Sequence, residues 1–417
     1  MTRATAKRKK KDFSIPVAHR LETLPAYLFG MLNAVKYDKR VRGEDVIDLG
    51  MGNPTDPPPK VVVEKLREAA LDPRNHRYSI SIGVKNLRRE CSRLYKRLYG
   101  VSLNEEKEVV ATIGSKEGFS HLCLALMGPG DTAVVPNPAF PIHIYGVTLA
   151  GGNCITIPWT RDEKWLSDLV ETLKVLYPKP KMLILCFPNN PTSETVELEF
   201  FKEIVKIARQ YNLMVIHDFA YGQTTFDGYR APSFLEARGA KKVGVEFTTL
   251  SKPYNMAGWR VGFCAGNPDM VKALGKIKGY YDYGIFQCIQ IASIIAMREC
   301  DDFARQQAHV YQKRRDCLVR GLHRIGWRMK KTKGTMFAWV PIPEKYRTVS
   351  SYDLAMFLMN HANVAVAPGI GFGEEGEGYL RMSLVENEQR LTQAVRQMGR
   401  ALRDFGDCHA ASQTDNK

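Results

Sequence analysis

A chain of 417 residues, 44% hydrophobic and 25% charged, has room for two domains with a large shared core and the composition of a soluble globular protein. Its longest apolar run, Ile289 to Met297, is interrupted by Gln290 and too short to cross a bilayer; nine scattered cysteines without a Cys-x-x-Cys pair argue against disulfides or structural zinc and fit a reducing cytoplasm. Net charge is +16, but Arg3, Lys7, Arg8, Lys9, Lys10 and Lys11 crowd into the first eleven positions, and taking these six away leaves +10 spread along the rest, which suits anionic small molecules better than nucleic acid.

Residues 1–18 read as a basic, disordered tail, without the apolar stretch of a secretory signal. From about 60 to 300, short apolar runs alternate with amphipathic stretches. Strands are expected over Val109–Ile113, Thr132–Pro136, Met182–Phe187, Leu213–His217, Val245–Leu250 and Val261–Ala265. Helices are expected between most of them, over Glu117–Met127, Ser167–Leu176, Leu198–Tyr211 and Asp269–Lys278. That order gives an α/β fold: a mostly parallel sheet, joined by right-handed crossovers and covered by helices on both faces, spanning residues 61–299. Beyond 300 the texture changes. A long charged helix, Asp302 to Ile325, precedes Met336–Val340, a helix Tyr352–Asn360 and strands Val364–Ala367 and Tyr379–Leu384. Residues 300–408 therefore read as a smaller α+β domain, with 409–417 as a second tail.

Several of the expected strands end in residues that can do chemistry, and ligands of open α/β sheets bind outside the carboxyl ends of the strands. The run Val245–Leu250 leads into Ser251-Lys252, with Arg260 eight residues beyond the lysine. A desolvated lysine condenses with a carbonyl to form a Schiff base, and an arginine holds a phosphate with several donors. Together they suggest pyridoxal phosphate, which carries both an aldehyde and a phosphate. A lysine after a strand more often marks a solvated edge, so agreement from other segments is needed. Asn189-Asn190-Pro191-Thr192 follows Met182–Phe187, and Asp218-Phe219-Ala220-Tyr221 follows Leu213–His217. Ser115-Lys116 comes after a strand and opens a helix, where free backbone N–H groups form an anion site. Asp218, partly desolvated behind an apolar strand, needs a cationic partner.

With Ile113-Gly114-Ser115-Lys116-Glu117-Gly118, Pro136 to Tyr145, Asn190, Asp218, Lys252 and Tyr379-Leu380-Arg381 in this order, the chain resembles the fold-type I, class I aminotransferases, the aspartate aminotransferase superfamily, from about Ile47 to Arg400. The likeness is greatest to bacterial glutamate–pyruvate (alanine) aminotransferases. The resemblance implies an aspartate-aminotransferase-like fold in which segment 19–60 completes the small domain. It also implies a pyridoxal 5'-phosphate-dependent enzyme moving an amino group between L-alanine and 2-oxoglutarate by a ping-pong route.

By the same resemblance, Lys252 is the covalent anchor and proton carrier, Ser115, Lys116, Ser251 and Arg260 surround the phosphate, and Thr249 is a further cofactor-binding residue. Asp218 meets the pyridinium nitrogen, Asn190 and Tyr221 face the ring oxygen, and Phe140 stacks on the ring where relatives more often carry tyrosine or tryptophan. Arg381 grips the substrate α-carboxylate, Gly52 leaves room beside it, and Tyr27 lies over the substrate. Tyr78 reaches the phosphate of a neighbouring subunit, which implies a homodimer. Ser193 stands where a glycine is usual, and Tyr283 where some relatives supply a polar residue to the partner's site. No metal is expected.

One motif is a decoy. Gly371-Phe372-Gly373-Glu374-Glu375-Gly376 matches the dinucleotide fingerprint, but a strand rather than a helix follows and two glutamates would repel a pyrophosphate, so it reads as a turn. Alternatives are an aminotransferase for another donor (aspartate, methionine, an aromatic amino acid or LL-diaminopimelate), an effector-sensing regulator, and a basic nucleic-acid-binding protein. The regulator is disfavoured because no helix-turn-helix fits before residue 19.

Overall fold

The computed structural model describes residues 15–25, 28–160 and 162–414; most of the expected basic tail and Tyr27 lie outside them. Twelve strands are defined among the described residues: β1 (Ile47–Asp48), β2 (Val109–Thr112), β3 (Thr132–Asn137), β4 (Asn153–Pro158), β5 (Met182–Cys186), β6 (Met214–Asp218), β7 (Gly244–Thr249), β8 (Gly262–Gly266), β9 (Phe337–Pro341), β10 (Val364–Ala365), β11 (Ala367–Pro368) and β12 (Tyr379–Ser383). Seven form one sheet in the order β2-β8-β7-β6-β5-β3-β4. Every residue of β2, β3, β5 and β8 is buried, as two-sided burial requires of their apolar runs.

Alternation along the strands divides the core. Leu183 and Leu185 pack with Leu87, Leu94, Trp165, Phe201 and Ala292 on one face. Met182 and Ile184 pack with Phe119, Leu122, Ile142, Met270 and Leu274 on the other. The mostly parallel sheet matches the expectation, with two differences. The seventh strand, β4, was not foreseen; it is a half-exposed edge, so it shows no continuous apolar run. And β8 runs antiparallel to both β2 and β7, because no crossover helix separates it from β7 and the chain turns back on itself.

The remaining strands make two small sheets. β11-β12-β9 is antiparallel, and β1 pairs in parallel with β10. The strand expected over Val364–Ala367 is thus broken at Val366, its halves pairing in different sheets. Around them lie the helices Asp301–Arg324, Ser351–Ala362 and Glu388–Thr414, the last running on through residues 409–414. Their core takes in Ile47, Leu49, Leu318, Leu354 and Met398, and also Tyr221 and Phe226. The segment 47–56 is a strap across this region. Ser383 N–H donates to Leu49 O (2.7 Å), Thr55 Oγ1 to Val385 O (2.5 Å), and Arg314 forks onto both oxygens of Asp56 (2.7 Å each).

Candidate active site

Strands β3, β5, β6 and β7 are parallel, so their carboxyl ends share one edge, and a cavity of about 780 Å³ opens there against the strap. After β7 the chain turns at Ser251, and Lys252 follows. The Lys252 Nζ donates to Gly52 O at 2.8 Å. Burial first, and then the positive charges of Arg381 and Arg260, pull its pKa down to about 8, against the opposing pull of Asp218. Gly52 has no room for a side chain, since a Cβ would lie 2.5 Å from Phe337 Cζ.

Asp218 ends β6. His143, buried in the helix Pro141–Leu149, holds one carboxylate oxygen with Nε2 at 3.0 Å from Oδ2. The other oxygen, Oδ1, is buried without a partner among the described residues. Phe119 and Phe140 pack edge-on against the imidazole, with centroids 5.4 and 5.8 Å away. From the end of β5, Asn190 accepts a hydrogen bond from Arg381 Nη1 (2.7 Å), while Nη2 of that arginine donates to Gly50 O (2.9 Å). The guanidinium is sandwiched by Phe337 and Phe372, 4.1 and 4.6 Å from the ring centroids. Tyr221 is buried at the wall, and burial pushes its phenol pKa up, so it stays a hydrogen donor.

A third side of the cavity is built to take an anion. The helix Ser115–Leu126 starts at its edge with no side-chain cap, leaving N–H groups open. Arg260, in the left-handed region at φ 57°, lays its guanidinium over Gly114, where a Cβ would come within 2.2 Å of Nη2. It donates to the carbonyls of Ala257 (3.0 Å) and Ile113 (3.5 Å), and no carboxylate pairs with it among the described residues. Thr249 Oγ1 accepts from Ser251 N–H at 3.1 Å, fixing the turn, and Lys116 Nζ lies 5.8 Å over the Phe140 ring.

The cavity therefore gathers Gly52, Ser115, Lys116, Phe140, Asn190, Asp218, Tyr221, Thr249, Ser251, Lys252, Arg260 and Arg381. Tyr78 is not among them; it is 85% exposed and packs on Tyr283, centroids 4.6 Å apart. Ser193, at φ 60°, keeps its turn by bonding Thr335 Oγ1 (2.6 Å) and Phe337 O (3.0 Å). The Gly371–Gly376 motif forms two 3-10 turns that bring Phe372 to the wall. Sequence reasoning passed over His143, Phe337, Phe372, Lys36 and Asp48. Only His143 left a signal, its spacing of three from Phe140 at a helix start.

A buried carboxylate oxygen and an arginine beside an uncapped helix start, neither with a partner of opposite kind among the described residues, and a partly buried amine of lowered pKa together fit the nitrogen, phosphate and aldehyde of pyridoxal phosphate. The comparisons agree. The model of the family "Aminotransferase class I and II" matches residues 44–398. The glutamate-pyruvate aminotransferase AlaC of Escherichia coli is 46% identical over 94% of this chain and 95% of its own length. An LL-diaminopimelate aminotransferase of Moorella thermoacetica is 42% identical over 92% and 98%. The substrate-bound BacF structure from Bacillus subtilis superposes with a TM-score of 0.88 at 34% identity, covering 93% of this chain and 98% of that one. The chain belongs to the class I and II aminotransferases, pyridoxal phosphate-dependent enzymes, and has the aspartate-aminotransferase-like fold. No helix among the described residues is long and apolar enough to cross a membrane.

Proposed function

We propose that this aminotransferase exchanges an amino group between L-alanine and 2-oxoglutarate, giving pyruvate and L-glutamate, in two half-reactions at one site. The observation that carries the chemistry is Lys252: a partly buried amine with its pKa lowered to about 8, in a cavity that also holds Asp218 and Arg381. The likeness to the E. coli glutamate-pyruvate enzyme supports the choice of alanine.

The cofactor, when bound, supplies an electrophilic aldehyde carbon and a ring that accepts electrons from the substrate. Lys252 anchors it and then carries the proton to and from the substrate's Cα, a task its lowered pKa suits. The free Oδ1 of Asp218 holds the proton on the ring nitrogen, with His143 keeping the carboxylate in place. Tyr221 and the Asn190 amide donate to the ring oxygen, and Phe140 covers the ring face. Ser115, Lys116, Thr249, Ser251 and Arg260 hold the phosphate. Arg381 takes the α-carboxylate with its planar fork, and Gly52 leaves space beside it. Tyr78, exposed in one chain, completes the phosphate site of a second copy in a homodimer, and the enzyme works in the cytoplasm.

LL-diaminopimelate is the second reading, favoured by the likeness to the M. thermoacetica enzyme. Rates with 2-oxoglutarate as acceptor decide between them. Alanine should give the highest kcat/KM in a panel with LL-diaminopimelate, aspartate, methionine and phenylalanine. Another donor ahead by more than about tenfold, roughly 1.4 kcal/mol in transition-state binding, would overturn alanine and leave the aminotransferase standing. Borohydride should fix the cofactor on Lys252 and on no other lysine.

A further inference from the structure

Two contacts of the cavity run back to one turn of the strap. Gly50 O accepts from Arg381 Nη2 at 2.9 Å, and Gly52 O accepts from Lys252 Nζ at 2.8 Å. The turn itself is closed by Asp48, whose Oδ1 accepts the backbone N–H groups of Gly50 (3.0 Å) and Met51 (3.3 Å). The other oxygen, Oδ2, takes Lys36 Nζ at 2.5 Å, and that ammonium also donates to Asn33 Oδ1 at 2.8 Å. Lys36 comes from the helix Leu28–Val41, and both members of the pair are largely shielded, their side chains 13% and 17% exposed. Both also line the cavity.

We propose that Lys36 and Asp48 are positioning residues for substrate binding. Their ion pair fixes the turn at 48–52, and the turn's carbonyls set where the Arg381 fork and the Lys252 amine stand. This inference rests on the reading of Arg381 as the α-carboxylate grip. A misplaced fork costs every α-amino acid alike, because the carboxylate is common to all of them. The expected defect is in binding rather than in the proton transfer at Cα. In the holoenzyme Lys252 is covalently held, so the Gly50–Arg381 branch dominates the effect.

The test uses the holoenzyme with propionate, which is alanine without its amine, as a reporter of carboxylate binding. Propionate affinity is read from the absorbance of the bound cofactor, together with kcat and KM for alanine. Asp48→Asn keeps an acceptor for the turn but loses the charge; Lys36→Met loses the ammonium. Each should weaken propionate and raise the alanine KM by about tenfold with kcat changed less than about threefold, and Lys36→Arg should restore most of the affinity. Unchanged propionate affinity in both folded variants, or a fall in kcat at constant KM, would overturn the proposal. Arg381→Lys separates the two layers. If it weakens propionate while the Lys36 and Asp48 variants do not, only the positioning role fails. If it too leaves propionate unaffected, the carboxylate-grip reading fails with it.

Discussion

His217 and Asp218 are consecutive residues of β6 and face opposite sides of the sheet, and the acids on those two sides are treated differently. Behind His217 lies Glu246, wholly buried, with four partners. Its Oε1 accepts from Tyr95 Oη (2.9 Å) and Ser233 Oγ (2.7 Å), and its Oε2 from Phe234 N–H (2.7 Å), with His217 Nδ1 at 2.8 Å. The second ring nitrogen of His217 lies 3.0 Å from Phe187 O, so the network is closed. Asp218 has one partner, His143, and one buried oxygen with none among the described residues. A buried acid with all its lone pairs engaged holds a fold together, whereas one left a bond short is a place for a ligand.

Three measurements would break or sharpen that contrast. The largest effect should come from Glu246→Gln, which replaces a fully engaged acceptor with a group that carries two donors, in a site wholly shielded from solvent. A loss of about 3–5 kcal/mol in unfolding free energy is expected, with turnover per folded enzyme within about threefold of wild type. A stable but inactive variant would reverse the roles assigned to the two acids.

Next is the pH dependence of the cofactor-free protein. Lys252 titrates near 8 when folded and near 10.5 when unfolded, so between these values the unfolded chain binds more protons and stability rises with pH. The contribution is fully present above 10.5 and lost as pH falls through 8. Urea titrations should show wild type gaining about 3 kcal/mol over Lys252→Met across that window. Parallel curves would mean that the amine is not held neutral by burial.

Asp218→Asn should be the mirror image of the glutamate variant. We expect kcat/KM to fall at least about 100-fold, roughly 2.7 kcal/mol, while the cofactor-free protein is as stable as wild type or more so. A large loss of stability would show that Asp218 belongs to the closed kind after all.

How much of this was legible in the sequence depends on where each partner sits. Asn190, Asp218 and Lys252 follow continuous apolar runs, and two-sided burial of a strand writes such runs plainly. The edge strand β4 did not show, because half-exposed residues leave no such pattern. Nor did the reversal of β8, which depends on the absence of a crossover helix. Glu246 sits inside the run Val245–Leu250 and looks out of place until its partners arrive; one of them, Tyr95, is 151 residues away. The same holds for His143, 75 residues from Asp218, and for Lys36, whose meaning comes entirely from Asp48 and the turn behind it. Pairings across such distances leave no local periodicity to read.

The strap carries a consequence for the making of the protein. Thr55 bonds Val385 and Gly50 bonds Arg381, pairs 330 and 331 residues apart, and Ile47 and Leu49 are completely buried beneath them. At about 5–20 residues per second of synthesis, the strap waits some 15–65 seconds for the partners that will cover it. In the last part of that interval, once β8 has been made, the seven-stranded sheet has every strand it needs, while the cavity lacks one wall. The ribosome must therefore finish nearly the whole chain before the first substrate can be held, and a nascent chain needs its apolar strap shielded until then.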